Sequence, residues 1–244
     1  MNWKLCFVIV SVLLSISLHA QETEEELKIS YEGRRDSVLF ETSYGSIYFT
    51  RNSNARFYNW YGNDDSNDQS YSDFYTDILS ESASENQFSF KKIPTPLTGI
   101  LWSDIYNFND QLCLYSPSDW FTVSTFKITD STIFDMRSAD PTAYFIESYT
   151  RLSASKHAYN VRETYTLEIY RFVIEILDEQ KGISLWIITN QSSGEVVKLV
   201  KVKSENVKLF PAINEDCGDQ KCIFNQQYTF FSPIDDDFLK QLRK

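Results

Sequence analysis

The chain has 244 residues, with 34 acidic and 23 basic side chains and a formal net charge of −11 at pH 7. A surface of this sign repels the phosphate backbone of nucleic acids, so we expect no nucleic-acid partner. The 18 phenylalanines and 15 tyrosines, beside only seven glycines and six prolines, are typical of a folded β-rich protein and exclude low-complexity disorder.

Residues 1–20 have the pattern of a cleavable secretory signal peptide. Lys4 supplies a positive charge, and the apolar run Leu5–Leu18 is shorter than a transmembrane helix but long enough for a signal-peptide core. Cleavage after Ala20 would place a small residue at the −1 position but Leu18 at −3, where a small residue is preferred. An uncleaved N-terminal anchor is the alternative. The sequence therefore predicts an exported protein, secreted or periplasmic, without a later transmembrane segment.

The mature part of the chain, residues 21–244, is long enough to form one large β domain. Short runs rich in aromatic and β-branched residues alternate with turn signals, as in β-hairpins. We predict a single, mostly antiparallel β domain, either a sandwich or a partly closed barrel, with a C-terminal helix and one short additional helix. We interpret a serine-rich stretch followed by prolines, at residues 80–98, as an internal connection.

The first predicted strands are Leu27–Glu32, Ser37–Thr42, Ser46–Arg51 and Ala55–Tyr61. The polar stretch 62–70 follows them and predicts an exposed loop. Ser72 then has the character of an N-cap, and apolar residues recur on one helical face after it, which predicts a short helix at residues 73–82.

The densest aromatic region of the sequence surrounds this loop. Alternate residues of a strand face opposite sides, so Tyr58 and Trp60 share one surface. Exposed aromatic rings beside Asp and Asn suit sugars, which present apolar faces and hydroxyl rims. We therefore expect Tyr58, Trp60 and Tyr71 to form a ligand-binding site. The alternative is that these rings fill the β core.

The same loop contains Asp64, Asp65 and Asp68, whose oxygen atoms are ligands that calcium prefers. The spacing does not fit an EF-hand, because Gln69 stands where glycine is needed and Tyr75 where the bidentate glutamate belongs. We expect a solvated loop with no cofactor, and an irregular calcium site is the alternative.

Strand signals return after residue 98. The clearest are Phe121–Thr129, Thr132–Arg137 and Ala143–Leu152, whereas Ser103–Tyr115 fits either a helix or a sheet edge. Three tryptophans lie in apolar β contexts and are predicted core residues: Trp102, Trp120 and Trp186.

Three apolar runs separated by short turns predict a β-meander: Tyr165–Leu177, Ile183–Thr189 and Glu195–Lys203. Within the last run the apolar positions change parity between residues 199 and 200. This change indicates a β-bulge or burial of both faces.

The C-terminus has the pattern of an amphipathic helix. Ser232 is a candidate N-cap, Pro233 fits the first helical position, and acidic residues precede basic ones along the segment. Ile234, Phe238 and Leu242 recur every four residues, so we expect this helix to lie against the sheet.

His157 would be the only histidine after signal removal, which excludes a multi-histidine zinc site. Its neighbours are polar, and we interpret it as part of a solvated turn. The sequence has no Gly-x-Ser-x-Gly pattern and no phosphate-binding glycine loop, so we name no catalytic residue.

Three cysteines would survive processing in an oxidising compartment. Cys217 and Cys222 are close enough in sequence to form a disulfide, which leaves Cys113 unpaired in an apolar context. Three unpaired thiols are the alternative. A C-x4-C spacing without a second pair is not a zinc signature.

The sequence therefore favours a non-catalytic exported binding module for a neutral ligand such as a glycan. Two alternatives stay open. One is an envelope structural or protein-interaction domain, which would expose an apolar patch or a strand edge. The other is a carboxylate-based hydrolase, which needs two carboxylates facing each other across a cleft.

Overall fold

The computed structural model describes residues 37–42, 45–51, 91–116, 124–136, 141–216 and 231–243. Within these ranges, twelve strands form one sheet. They are β1 (Ser37–Thr42), β2 (Gly45–Thr50), β3 (Leu101–Phe108), β4 (Gln111–Ser116), β5 (Thr125–Ile128), β6 (Thr132–Asp135), β7 (Thr142–Arg151), β8 (Lys156–Glu163), β9 (Ile169–Asp178), β10 (Ile183–Asn190), β11 (Val196–Lys203) and β12 (Ala212–Asp216). A 3-10 helix covers Ser204–Leu209, and helix α1 covers Asp236–Leu242. Neither of these helices could cross a membrane.

Eight of the strands close into an antiparallel barrel. Their order is β3–β11–β10–β9–β8–β7–β6–β5, and β5 pairs back with β3. The mostly β, antiparallel architecture predicted from the sequence is confirmed. The ring is fully closed because β3 pairs with a strand on each side, with β5 at Leu101–Ser103 and with β11 at Trp102–Ile105.

The second half of β3 leaves the barrel and pairs with β4 through a two-residue turn. Asn109 and Asp110 occupy this turn with φ of 49° and 62°. Asn and Asp tolerate left-handed backbone better than other residues with a Cβ, and a two-residue hairpin turn of this kind requires it. Ser103–Tyr115, which fits either a helix or a sheet edge in sequence, is therefore a hairpin.

Beyond β4 the sheet continues outside the barrel. Strand β4 pairs in parallel with β12, which pairs with β2, and β2 pairs with β1. A small apolar core lies under this extension and includes Leu39, Ile47 and Ile213. Cys113 is buried in the same core as a free thiol, as predicted, and burial raises the pKa of that thiol.

Large aromatic side chains fill the barrel interior. Trp102 and Trp186 are fully buried and pack edge to face with ring centroids 5.9 Å apart, beside Phe126 and Phe172. An eight-stranded barrel is just wide enough for side chains to fill its interior. The prediction that Trp102 and Trp186 are core residues is confirmed, whereas Trp120 lies outside the described residues.

One end of the barrel is closed by the segment 91–100. Leu97 is buried in the interior core, and Thr95 Oγ1 lies 2.8 Å from the hydroxyl of Tyr159. Gly99 N–H donates to the carbonyl of Ile128 at 2.7 Å. These contacts fix the segment across the barrel end.

Helix α1 packs on the outer face of the barrel, as its apolar periodicity predicts. Phe238 and Leu239 are buried against Leu185 and Val200. The predicted start of the helix is wrong: Asp235, and not Ser232, is the N-cap, and its carboxylate accepts the Phe238 N–H at 2.8 Å.

The reason for the later helix start is a competing contact of Ser232. Its N–H donates to the carbonyl of Asn107 at 2.8 Å, and the Asn107 side-chain amide donates to the carbonyl of Pro233. The chain therefore pairs with β3 at Ser232 and is still extended at Asp235, and Pro233 lies before the helix instead of at its first position.

Two further details of the meander follow from the structure. The predicted strand at Tyr165–Leu177 begins later, at Ile169, because residues 164–166 form a turn. In β11 the pairing with β10 is regular, so the parity change reflects burial of both faces. Val200 and Val202 pack under α1, while Leu199 packs against the interior core.

We expected His157 to lie in a solvated turn, but this expectation is wrong. It lies on β8 with 3% of its surface exposed. Of the neighbours that suggested a turn, Ser155 forms a bend before the strand, whereas Lys156 and Ala158 lie on the strand itself.

The β9–β10 turn depends on Gly182, which has φ of +69°. An added Cβ there would lie 2.8 Å from Asn206 Nδ2 and 2.9 Å from Lys203 Cγ. Gly194 in the β10–β11 turn has a similar φ of +74° but nothing within 4 Å of an added Cβ. Substitutions at Gly182 and Gly194 therefore distinguish the cost of backbone strain from the cost of steric overlap.

We predict that Gly194→Ala lowers the free energy of unfolding by about 1 to 2 kcal/mol, the cost of left-handed backbone. Gly182→Ala should lower it by about 1 to 3 kcal/mol more, because the methyl group overpacks the turn. Urea denaturation of both variants measures the difference. Equal losses would contradict the close approach at Gly182.

Candidate functional site

A groove of about 460 Å³ lies on the outside of the barrel, where four segments meet. These segments are the β3–β4 turn, the β9–β10 turn, the chain around the end of the 3-10 helix, and the C-terminal end of α1. We call it the C-terminal groove. Its lining residues are Asp110, Gln111, Leu112, Asp178, Lys181, Ile183, Leu209, Phe210, Pro211, Gln241 and Leu242.

The apolar part of the groove continues the core under α1. Leu112, Ile183 and Phe210 are buried in that core, and Leu242 packs against it. Leu209 differs from them, because 64% of its surface is exposed. The last turn of the 3-10 helix therefore presents an unburied leucine beside an apolar floor.

The polar part of the groove forms its rim. Asp110 and Lys181 are exposed, and Asp178 Oδ1 accepts the backbone N–H of Lys181 at 2.9 Å. Gln111 and Gln241 add side-chain amides, which both donate and accept hydrogen bonds. Two carboxylates and one ammonium give this rim a formal charge of −1.

The described residues contain no group of three or more His, Cys, Asp or Glu side chains arranged to hold a metal ion. The groove itself offers apolar contact together with hydrogen-bond donors and acceptors. Such a surface suits reversible binding of a ligand that has both apolar and polar faces.

A second polar centre lies inside the barrel. Lys201 is fully buried, and its Nζ forms an ion pair with Asp104, directly opposite on β3. The same ammonium lies 3.9 Å from the ring centroid of Phe126 and 5.5 Å from that of Trp186. A desolvated cation over aromatic faces is stabilised by the ring quadrupole, so carboxylate and rings together balance the buried charge.

The two interior tryptophans differ in their hydrogen bonding. Trp186 Nε1 donates to Ser184 Oγ at 2.9 Å, whereas buried Trp102 Nε1 has no acceptor among the residues that the structure describes. A buried donor without an acceptor costs about 1 to 3 kcal/mol. Among the described residues, the indole N–H of Trp102 is therefore a buried hydrogen-bond donor that lacks an acceptor.

His157 and Tyr159 face the closed end of the barrel. His157 Nδ1 lies 2.9 Å from the Tyr149 hydroxyl. Burial lowers the pKa of His157, Arg151 lowers it further, and Glu179 partly offsets them. Burial also raises the pKa of Tyr159 to about 12, although its hydrogen bond to Thr95 acts in the opposite direction.

Two glutamates at the other barrel end are occupied by structural contacts. Glu163 accepts the backbone N–H groups of Tyr165, at 3.0 Å, and of Thr166. Glu168 Oε2 accepts from Asn190 Nδ2 at 2.7 Å and from the hydroxyl of Tyr170 at 3.0 Å. These carboxylates hold the β8–β9 turn against β10.

The site residues predicted from the sequence all lie outside the described residues. These are Tyr58, Trp60 and Tyr71 for the ligand, Asp64, Asp65 and Asp68 for calcium, and Cys217 and Cys222 for the disulfide. They stay predictions, and no disulfide occurs in the ranges that the structure covers. Sequence reasoning missed the C-terminal groove, because its lining residues come from four separate segments and share no motif.

Searches with this chain against protein-family models, curated proteins and solved structures find no match.

We predict that removing Asp104 and removing Lys201 lower the free energy of unfolding by unequal amounts. Asp104→Ala leaves Lys201 charged and buried, and should lower the free energy of unfolding by about 3 to 5 kcal/mol. Lys201→Met should cost less, because 16% of the Asp104 side chain reaches solvent and methionine fills an apolar space.

Urea denaturation tests this asymmetry, and Lys203→Met is the matched control. Lys203 pairs with Glu179, whose side chain is 74% exposed, so its loss should cost at most about 1 kcal/mol. A larger loss for Lys201→Met than for Asp104→Ala would contradict the proposed balance of charges.

We also predict a contribution of His157 to the pH dependence of stability. The folded pKa lies below the ordinary value of 6.5, so the unfolded chain binds a proton first as the pH falls. The contribution of His157 should be fully present above pH 6.5 and should decline as the pH falls from there towards the folded pKa.

His157→Gln removes this titration. Denaturation of the variant and of the unmodified protein at several pH values between 7.5 and 5 should show a shallower loss for the variant. Identical slopes would mean that the buried imidazole does not resist protonation.

Proposed function

We propose that the protein is an exported, non-catalytic binding module, and that the C-terminal groove takes a neutral, hydroxyl-bearing ligand such as a glycan. The observation that carries this proposal is the groove of about 460 Å³ with an apolar floor and a polar rim that contains both acidic and basic side chains. Small-molecule sites typically have volumes of roughly 300 to 1,000 Å³ and combine apolar walls with a few polar groups.

The chemistry of the lining matches a sugar better than a strongly charged ligand. A pyranose ring has an apolar face that can rest on Leu209 and Leu242, while its hydroxyls can reach the rim. Asp110 and Asp178 can accept hydroxyl protons, and Lys181 can donate to hydroxyl oxygens. Because both signs of charge are present, a ligand of high net charge would meet one repulsive group at least.

The same groove supports a carboxylate-based hydrolase as a second candidate. Asp110 lies in the β3–β4 turn and Asp178 at the end of β9, so two carboxylates line the groove from separate segments. Glycoside hydrolysis uses such a pair, one as acid and the other as nucleophile or base. In that case the bound glycan would be cleaved instead of retained.

The aromatic and calcium predictions are independent of this groove. Tyr58, Trp60 and Tyr71 stay a predicted second contact for a sugar, and Asp64, Asp65 and Asp68 stay a predicted calcium site. A binding assay repeated with a chelator separates calcium-dependent binding from binding by the C-terminal groove. A ligand held by the groove alone needs no divalent cation.

We predict that Leu209→Ala weakens ligand binding about tenfold, since it removes an exposed apolar contact of the groove. Its effect on stability should stay within about 0.5 kcal/mol, because the side chain is largely solvated. The measurement is a thermal-shift screen of neutral glycans, followed by calorimetric titration of the ligand that stabilises the protein.

Leu152→Ala is the matched control. This leucine is also exposed, at 46%, but it lies next to the β7–β8 turn outside the groove. Equal affinities of the Leu209 and Leu152 variants would remove the groove from the proposal. Release of reducing sugar that is lost in Asp110→Asn while binding remains would favour the hydrolase.

A further inference from the structure

The last turn of helix α1 lines the C-terminal groove and depends on contacts with the barrel. Gln241 and Leu242 supply this part of the groove lining. The helix has seven residues, and helices shorter than about 12 residues are marginal in water, so its order comes from packing. Phe238 and Leu239 are buried at the middle of the helix, whereas Leu242 is half-buried and Gln241 is exposed. The part of α1 that lines the groove is therefore less firmly packed than its middle.

An ion pair joins this last turn to the barrel. Arg243 Nε lies 3.1 Å from Glu175 Oε1, and Nη2 of the same guanidinium lies 3.5 Å from Oε2. The guanidinium fork thus meets both oxygens of one carboxylate, an arrangement that fixes direction as well as distance. Lys240, the other basic residue of the turn, pairs with Asp237 inside the helix. In the part of the chain that the structure describes, no second ion pair joins the last turn to the barrel.

Glu175 lies on a strand that supplies another part of the groove lining. It belongs to β9, and Asp178, three residues further on, ends this strand and lines the groove. Lys181 follows in the β9–β10 turn and lines the groove as well. The ion pair therefore ties the part of the groove that α1 supplies to the part that β9 and its turn supply.

We propose that Arg243 and Glu175 are positioning residues of the C-terminal groove. Neither of them lines the groove. Their ion pair holds the last turn of α1 where a ligand contacts it, and so makes the affinity for a neutral ligand depend on salt. This inference rests on the function proposed above, in which the groove is the binding site.

A neutral ligand gives the proposal a distinctive signature. The direct interaction of an uncharged molecule with the groove depends little on ionic strength, because salt screens forces between charges. The ion pair is open to such screening, since 47% of the Arg243 side chain is exposed, against 20% for Glu175. Affinity for the neutral ligand should therefore fall about threefold between about 0.02 and 0.5 M NaCl.

Calorimetric titration with neutral disaccharides such as cellobiose and maltose, at both salt concentrations, tests this dependence. Arg243→Gln should lower the affinity about threefold at low salt and abolish the salt dependence. Arg243→Lys keeps the charge but not the fork, so it should restore only part of the affinity. Lys156→Gln is the matched control. Lys156 also pairs with Glu175, with Nζ 3.7 Å from Oε2, but it lies on β8 outside the groove, so this variant should bind as the unmodified protein does.

Hydrogen exchange of the ligand-free protein tests the positioning separately. The N–H of Arg243 donates to the carbonyl of Leu239 at 3.3 Å, which closes the last turn. Exchange at residues 239–243 should be about threefold faster in Arg243→Gln and also in Glu175→Gln, which leaves the helix sequence unchanged. Lys240→Gln removes a positive charge from the same turn without breaking a contact with the barrel, so it controls for the helix dipole and should have a smaller effect.

The two measurements separate failure of this inference from failure of the proposed function. Unchanged exchange in both Arg243→Gln and Glu175→Gln would overturn the positioning role. A salt dependence of binding that persists in Arg243→Gln would also overturn it. Faster exchange in both variants, together with no disaccharide binding by the unmodified protein, would support the role of the ion pair in fixing the turn and would overturn the glycan function instead.

Discussion

The division of β3 between the barrel and the outer extension of the sheet is the constraint on which the rest of the structure depends. Its first half completes the barrel by pairing with β5 on one side and β11 on the other. Its second half starts the outer extension by pairing with β4. A straight strand that stayed in the barrel would cover all of β11 and would have no hairpin at Asn109 and Asp110. The C-terminal groove lies beside the β3–β4 turn, past the point where the two halves separate.

Closure of a barrel of this size also decides what fills its interior. Eight strands leave room for side chains and little else, and large aromatic rings occupy that room. Lys201 enters this space because its strand alternates, and Val200 and Val202 on the other face are required under α1. The ammonium is then tolerated through Asp104 and the ring of Phe126. Lys201 is therefore buried because β11 supplies apolar side chains to the core under α1, while its alternate positions face the barrel interior.

Local patterns were sufficient for the strands whose neighbours are close in sequence. Ser37–Thr42 and the meander of β9, β10 and β11 follow from β-branched runs and turn residues, with errors of a few residues at the ends. The apolar contexts of Trp102 and Trp186 identified two core residues. In these places the chain next to a residue supplies most of its environment.

Features that depend on distant segments could not be predicted in this way. His157 has polar neighbours in sequence, but β7 and β9 bury it from both sides. Ser232 has a good N-cap sequence, but Asn107 on β3 captures its backbone. The groove combines residues that lie between Asp110 and Leu242 in the sequence. Leu209 is exposed because no distant part of the described chain packs over it. Whether the barrel closes was equally undetermined, because the β3–β5 and β3–β11 pairs have no local signal.

The long-range pairings also set the order in which the chain can fold. The buried ion pair joins residues 97 positions apart in sequence, and Ser103 and Ser204, which share a hydrogen bond, are 101 apart. Contacts at such separation close only after a large loss of chain entropy, and proteins rich in them fold in milliseconds to seconds. During synthesis, which starts at the N-terminus, β3 cannot pair with β11 until β11 has been made. In the same way, β2 cannot pair with β12 until β12 has been made. The meander can form early, but the ring and its aromatic interior are completed only when nearly the whole chain is present.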